Sequence, residues 1–364
     1  MENLNVLKFH VGIDISKLKF DAAIGFVDYG QKTKLIATHA FTNSKEGFLA
    51  LINWVNKKTF TEAPLSYSME ATGVYYENLA YFLNDNELQL HVLVPSLAKK
   101  YIQSIGIKTK TDKVDAKSLM LLGLERSLKK WIAPDKYFYQ LRILSRERES
   151  LIKERIQLLN QRHASESSYD QNEKTSLRIN KRIEILTEFV SEVELDIKNV
   201  IVQNTELNKK INKIITIPGI GMITVATVIA ETHGFNLIKN VRQLTSYAGY
   251  DVVLRDSGQH KSLGKISKKG NSHIRKAMHL PALTARRMNP NYKEFYDRIY
   301  NKRNIKMVGC VALQRKLLCL IYTLWTRDEE FKYPVNSGNH KLETSFGCCA
   351  ATKKSSATKN VALH

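Results

Sequence analysis

Apolar and polar positions follow one rhythm in the first third of the chain and another after it. Residues 11–15 and 19–27 are short apolar runs of strand length, separated by a tight polar break, and residues 34–41 form a third such run. Three strands with turns this short predict an antiparallel meander. Residues 45–56 carry helical spacing, with Asn43 or Ser44 at the N-cap. A fourth strand is expected over 65–70 and a helix over 75–84, opened by the Thr72-Gly73 break. A fifth strand over 90–94 is stopped by Pro95.

From about residue 137 to 210 the period lengthens. Leu141, Leu144, Arg148, Leu151, Arg155 and Leu158 alternate steps of three and four. Ile179, Ile183, Leu186, Val190, Val193, Ile197 and Val200 do so as a heptad seam. The polar stretch 163–174 separates the two series. A pair of antiparallel helices and a dimerising coiled coil both satisfy this pattern. A third region begins at Ile217-Pro218-Gly219-Ile220-Gly221, set between apolar helical stretches like the hairpin of a helix-hairpin-helix element. It closes with an apolar helix over 308–325. Beyond Pro334 the chain is rich in Ser, Thr, Lys, Asn and Gly and reads as a disordered tail.

A strand meander followed by α-β-α-β is the order of an RNase H-like α/β layer fold. The chain thus divides into an α/β domain over 1–135, a helical coiled-coil region over 136–210, a mainly α domain over 211–333, and the tail, 334–364.

Charge narrows the class of partner. Lys and Arg total 56 against 35 Asp and Glu, a formal net charge of +21, and an excess of this size points to a polyanion, nucleic acid first. The 14 Lys and Arg against three Asp and Glu within 255–306 supply about half of that excess. Four cysteines, of which Cys348 and Cys349 are adjacent, fit neither a disulfide framework nor a metal spacing, so a reducing cytoplasmic setting is expected. No signal-peptide pattern opens the chain, and no apolar run approaches a membrane span, so no membrane partner is expected.

Against this basic background, four acids call for a reason. Asp14 and Glu70 close predicted strands, where neighbouring strand ends can bring two carboxylates together. Asp112 and Asp115, three apart in Lys110-Thr111-Asp112-Lys113-Val114-Asp115-Ala116, share one helical face. Four hard oxygen ligands suit Mg²⁺, with Mn²⁺ as the alternative, in a two-ion phosphodiester site. Lys110 and Lys113 stand beside them as phosphate contacts. In the third region, Gly219 and Gly221 would let backbone N–H groups approach a phosphate. The glycine-punctuated block 256–271 offers Lys261, Lys265, Lys268, Lys269 and Asn271, and Arg275 follows. Ser257, ahead of Gly258, is a candidate nucleophile, with Ser262, Ser267 and Ser272 competing for the role.

Taken together, these motifs resemble the DEDD transposases of insertion sequences, relatives of the Piv-type DNA invertases, several of which are bridge-RNA-guided recombinases. The resemblance is carried by Val11-Gly12-Ile13-Asp14-Ile15-Ser16-Lys17, Met69-Glu70-Ala71-Thr72-Gly73, the Asp112/Asp115 segment, Ile217-Pro218-Gly219-Ile220-Gly221, Ser257-Gly258, and Gly264-Lys265-Ile266-Ser267-Lys268-Lys269-Gly270-Asn271. It implies a RuvC-like domain whose metal-binding acids are Asp14, Glu70, Asp112 and Asp115, and a transposase domain whose serine falls at Ser257. It also implies a guide RNA, DNA at element ends and target, and a homo-oligomer, dimer or synaptic tetramer, with the 179–200 seam between subunits, acting in a bacterial or archaeal cytoplasm at the nucleoid. In place of the Gly-Leu-x-Pro-like step common ahead of the serine, this chain has Ala248-Gly249-Tyr250-Asp251-Val252-Val253. Two other readings use the same residues: a RuvC-like Holliday-junction endonuclease in which Ser257 is structural, and a basic RNA-binding protein without catalysis.

Overall fold

The computed structural model describes residues 5–71, 73–106, 111–169, 172–236, 238–253 and 265–332. The expected tail over 334–364 lies outside them. The chain divides into two compact units, residues 1–135 and 136–364.

The first unit is built on a five-stranded sheet. Strands β1 (Val6–Ile15), β2 (Lys19–Asp28) and β3 (Thr33–Thr42) form the antiparallel meander, and helix α1 (Lys45–Lys58) follows. Then come β4 (Leu65–Glu70), α2 (Glu77–Asp85), β5 (Leu90–Leu93), α3 (Pro95–Ser104) and α4 (Asp112–Glu125). The strand order is β3-β2-β1-β4-β5, with β4 parallel to both β1 and β5. Three antiparallel strands extended by two parallel ones, reached through α1 and α2, make this an RNase H-like fold.

β1 and β2 are buried along nearly their whole length because helices cover both faces of the sheet. One face packs Val11, Ile13, Ile24, Tyr67 and Met69 against Phe48, Leu51, Leu79 and Leu83 of α1 and α2. On the other face, α4 lies directly on the central strands. A Cβ on Gly12 would stand 2.1 Å from the Met120 backbone nitrogen and 2.3 Å from the Ala116 carbonyl oxygen. Only glycine admits the helix at this distance. His10, buried beside Gly123 of α4, has its ring nitrogens 2.7 Å from Ser66 Oγ and 2.8 Å from Ser68 Oγ. Burial, then His91 and Lys8, push its pKa down to about 3, so the imidazole is neutral.

Three helix boundaries were set by features that apolar spacing does not show. Helix α1 is capped by Ser44, whose hydroxyl accepts from the Gly47 N–H, and not by Asn43. Helix α2 begins at Glu77, two residues later than its apolar pattern suggests. Pro95 opens α3 as well as ending the preceding strand, since proline fits a first helical turn, where its missing N–H costs nothing.

The second unit begins with two 31-residue helices, α5 (Lys136–Glu166) and α6 (Glu173–Gln203), packed along each other as a hairpin. The heptad seam expected between subunits is used within the chain, where Ile179, Val190, Val193 and Ile197 are buried. A six-residue connection makes the neighbouring helix the nearest apolar surface, so intramolecular closure wins on effective concentration. Helices α7 (Thr205–Ile214), α8 (Met222–Thr232) and α9 (Val241–Tyr247) follow, then a short antiparallel pair, β6 (Val252–Val253) and β7 (Lys265–Ile266). The described chain ends with α10 (Ser272–Ala277), α11 (His279–Met288), α12 (Pro290–Arg303) and α13 (Lys306–Arg327). The base of the hairpin shares one core with these helices, joining Leu141 and Ile197 to Ile211, Val225, Leu244 and Leu317.

Helix α13 corrects one expectation. By length and composition it could cross a membrane, although no apolar run was expected to approach a span. The apolar excess is explained by packing: Cys310, Leu313, Leu317, Ile321 and Leu324 lie in the core of the unit.

Candidate active site

All four acids belong to the first unit, and its topology gathers them at one edge. Asp14 is the penultimate residue of β1 and Glu70 the last of β4. These strands are parallel, and their register runs to Ile13 opposite Met69, so Asp14 and Glu70 come one step beyond the last ladder pair. Asp112 and Asp115 occupy the first turn of α4, whose N-cap, Thr111, accepts from the Val114 N–H at 3.3 Å. Carboxylates there face the positive end of the helix dipole. Because Gly12 seats α4 on β1, the turn that holds both aspartates is fixed relative to Asp14 by backbone packing.

The electrostatics show this convergence. Burial, followed by Asp115, Asp112, Glu70 and Asp21 in turn, pushes the Asp14 carboxyl from 3.8 up to about 7. The other three members of the predicted quartet all act on it. Asp21 is a fifth acid that the apolar pattern did not single out. It pairs with Asp14 across the β1–β2 ladder and is almost fully buried. Its signal was present in the sequence: Ile13-Asp14-Ile15 and Phe20-Asp21-Ala22 mirror each other about a tight turn, which sets the two aspartates opposite one another. Lys19 Nζ lies 3.2 Å from Asp112 Oδ2 and 3.6 Å from Asp21 Oδ2, so a cation already sits among these oxygens.

This oxygen-only donor set suits a hard divalent ion, and the Lys19 ammonium marks where positive charge is favoured. Among the described residues no three candidate ligands yet stand close enough to enclose a metal ion. The acids are gathered at the sheet edge but not closed into a finished coordination shell.

The remaining predicted contacts divide by surroundings. Lys113 in the first unit, and Lys265, Lys268 and Lys269 in the second, are exposed. Ser257, Lys110 and Lys261 lie outside the described residues. Gly221 is the N-cap of α8, with open space where a side chain would be. Gly219 faces the protein: its φ is +85°, and a Cβ there would stand 2.6 Å from the Ala285 backbone nitrogen. Its glycine is accounted for by the close approach of α11.

Asn271 and Arg275, both half-buried, also make hydrogen bonds within the protein. Asn271 Oδ1 accepts from the Ile274 N–H as the N-cap of α10, and Asn271 Nδ2 donates to Glu231 Oε2 at 2.6 Å. Arg275 Nη1 donates to the Ala248 carbonyl at 2.7 Å. Glu231, buried on α8, also takes a two-pronged ion pair from Arg146 of α5, at 2.8 and 3.0 Å. Burial alone would raise its carboxyl, but the bonds from Arg146 and Asn271 hold it below the usual range. This clamp joins the base of the helical hairpin to the chain on both sides of the β6–β7 pair. Spacing gave no sign of it, because its members are 85 and 40 residues from Glu231.

The first unit thus combines an RNase H-like sheet with a cluster of acids at the carboxyl ends of its parallel strands. Two family models match the chain, one described as "DEDD_Tnp_IS110: Transposase" over residues 11–165 and one as "Transposase IS116/IS110/IS902 family" over residues 211–297. The chain belongs to this family of DEDD transposases, related to the Piv-type invertases, which are DNA-cleaving recombinases. The pilin gene-inverting protein of Moraxella bovis is 28% identical over 331 residues, covering 89% of this chain and 98% of that protein. The transposase for insertion sequence element IS1111A of Coxiella burnetii is 27% identical over 148 residues, 40% of each chain. Among solved structures, Thermus thermophilus RuvC aligns with 34% of this chain and 99% of its own at 12% identity, with a TM-score of 0.27.

Proposed function

We propose that the protein is a transposase and site-specific DNA recombinase that cleaves and rejoins DNA with Asp14, Glu70, Asp112 and Asp115 as metal ligands and Ser257 as nucleophile. The observation that carries this reading is the gathering of Glu70, Asp112 and Asp115 around the part-buried Asp14, whose carboxyl is lifted to about 7 by burial first and by these neighbouring carboxylates after it. Clustered negative charge of this kind is retained against a stability cost, which is the mark of a site that serves cation and phosphate.

Mg²⁺, or Mn²⁺, would be held by the four carboxylates and would supply electrostatic stabilisation of charge building on phosphate oxygens. The protein's own residues do the rest. Lys113, Lys265, Lys268 and Lys269 hold the DNA backbone without reading its sequence, and the Gly221 backbone joins them at the N-terminus of α8. The Ser257 hydroxyl attacks phosphorus. The Oγ–P bond forms as the P–O3′ bond breaks, the hydroxyl proton leaves Oγ, and one proton is taken up at the departing 3′ oxygen. The covalent link conserves phosphodiester energy for rejoining to a new strand.

Sequence choice is delegated to a guide RNA, which gives the +21 charge a second polyanion to neutralise. The working form is a homo-oligomer, a dimer or a synaptic tetramer, in the reducing cytoplasm at the nucleoid. Exposed Ile156, Leu177, Ile185, Phe189 and Leu195 on the hairpin are apolar surface available for that assembly.

The test is adduct capture on plasmid DNA carrying the sequence that flanks the coding region in its genome. The wild-type chain should give a protein–DNA adduct that disappears in Ser257→Ala and in Asp14→Asn. Cleavage by Ser257→Ala at the wild-type rate would replace this reading with a water-using, RuvC-like junction endonuclease. Full function of Asp14→Asn would favour a non-catalytic RNA-binding protein.

A further inference from the structure

Asn43 stands at the junction of β3 and α1, where a capping residue was expected, yet Ser44 makes the cap. The Asn43 side chain is used elsewhere. Its Nδ2 donates to the Ser16 carbonyl at 3.0 Å and to the Tyr75 carbonyl at 3.1 Å, while its backbone N–H donates to the Leu18 carbonyl at 2.9 Å. Ser16 belongs to the turn that leaves β1 just after Asp14. Tyr75 belongs to the loop that leaves β4 after Glu70. Main-chain pairing between these strands stops at Ile13 and Met69, so Asn43 cross-links them where the ladder no longer does.

The junction is itself closely packed. A Cβ on Gly47 would stand 1.9 Å from the Thr42 carbonyl oxygen, so the first turn of α1 is pressed onto the end of β3. Both acceptors of the Asn43 amide are carbonyl oxygens, which fixes nitrogen as the atom facing them. Its Oδ1 is shut off from solvent and meets no donor among the described residues. A cap or surface asparagine would not leave an acceptor in that position, because burying it without a partner is unfavourable.

We infer that Asn43 is a positioning residue for the acid site, setting the separation of Asp14 and Glu70 beyond the end of their ladder. The inference rests on the reading of these acids as the catalytic site. Asn43→Asp is the sharpest probe. It keeps size and shape and suits a helix N-terminus, but it turns an oxygen toward two carbonyl oxygens. Divalent affinity, measured on the full chain by electron paramagnetic resonance titration of Mn²⁺, should fall about tenfold in Asn43→Asp and Asn43→Ala. The DNA cleavage rate should fall about 10- to 100-fold, with DNA affinity by fluorescence anisotropy within about twofold of wild type. Ser44→Ala, which removes the true cap, should lower the melting temperature and leave Mn²⁺ affinity unchanged.

Wild-type Mn²⁺ affinity in Asn43→Asp overturns the inference, as does an equal loss in Ser44→Ala, which would mean general softening of the junction. Should Asn43→Ala not fold, Asn43→Ser serves in the same comparison. Asp14→Asn separates the two levels. If it is inactive while Asn43→Asp behaves as wild type, only the positioning role fails. If Asp14→Asn also binds Mn²⁺ and cleaves normally, the site reading fails with it.

Discussion

Gly12→Ala tests whether backbone packing sets the geometry of the acids. The new methyl carbon would stand 2.1 Å from the Met120 nitrogen and 2.3 Å from the Ala116 carbonyl oxygen, whereas ordinary contact begins at 3.4 Å. Neither obstacle is a flexible side chain, so α4 must move away by about 1.2 Å, the mean of the shortfalls 3.4 − 2.1 and 3.4 − 2.3. Overpacking of this kind costs about 1–3 kcal/mol. The functional effect should be larger than the stability effect, because Asp112 and Asp115 ride on the helix that moves while Asp14 and Glu70 stay with the strands. A misplacement of about 1 Å at reacting groups costs about 100-fold in rate. Urea unfolding and DNA cleavage by the folded variant are the two measurements. Expected are a stability loss of about 2 kcal/mol and a rate loss near 100-fold under conditions where the variant is fully folded. Wild-type cleavage by a folded Gly12→Ala protein would refute the claim that the α4–β1 contact sets the site.

Three further perturbations have defined outcomes. Asp14→Asn should abolish cleavage yet stabilise the fold at pH 8. The raised carboxyl keeps its proton in the folded state up to about pH 7, while the unfolded chain gives it up near 3.8, so stability falls as pH rises through that window. The full shift corresponds to about 4 kcal/mol, and solvent screening of a part-open group reduces this to about 2; equal stability of the two proteins at pH 8 would count against it. His10 should make the fold acid-labile, because the unfolded imidazole takes up a proton below about 6.5 while the buried ring resists until about 3. Wild type should therefore lose about 1.4 kcal/mol per pH unit more than His10→Asn between pH 6 and 4, and parallel unfolding profiles would refute this. Glu231→Ala leaves the Arg146 guanidinium without its partner and frees Asn271, and should cost about 3 kcal/mol in urea unfolding; a loss under about 1 kcal/mol would show that water replaces the carboxylate.

The legible parts of the molecule are those in which one periodicity has one solution. The meander is an example: with only three residues between Ile15 and Lys19, β1 and β2 can pair only antiparallel, and the same constraint sets Asp21 opposite Asp14. Asp112 and Asp115 were readable for a similar reason, since a spacing of three on a helix with Thr111 at its cap leaves them on the same turn. Spacing failed where the partner is remote. The seam of α6 specifies that an apolar partner exists but not whether it belongs to the same chain. The buried face of α13 and a membrane span draw on the same residues. Asn43 and Ser44 are both good caps, and only the position of the Ser16 and Tyr75 carbonyls assigns them different tasks.

The sequence by itself determined the strand and helix order, the RNase H-like class, the charge that calls for a polyanion, and the places of the four candidate acids on strand ends and one helical turn. Each of these depends on residue type and on separations of a few positions, over which the chain has little conformational choice. Tertiary structure alone decided how the acids act on one another, that Gly12 and not a side chain spaces the helix from the strand, and that Asn271 and Arg275 bond to Glu231 and the Ala248 carbonyl. It also decided that Glu231 ties the hairpin to the transposase core. These features join residues tens of positions apart, and the desolvation that lifts Asp14 or steadies Glu231 comes into being only when packing removes water from around them.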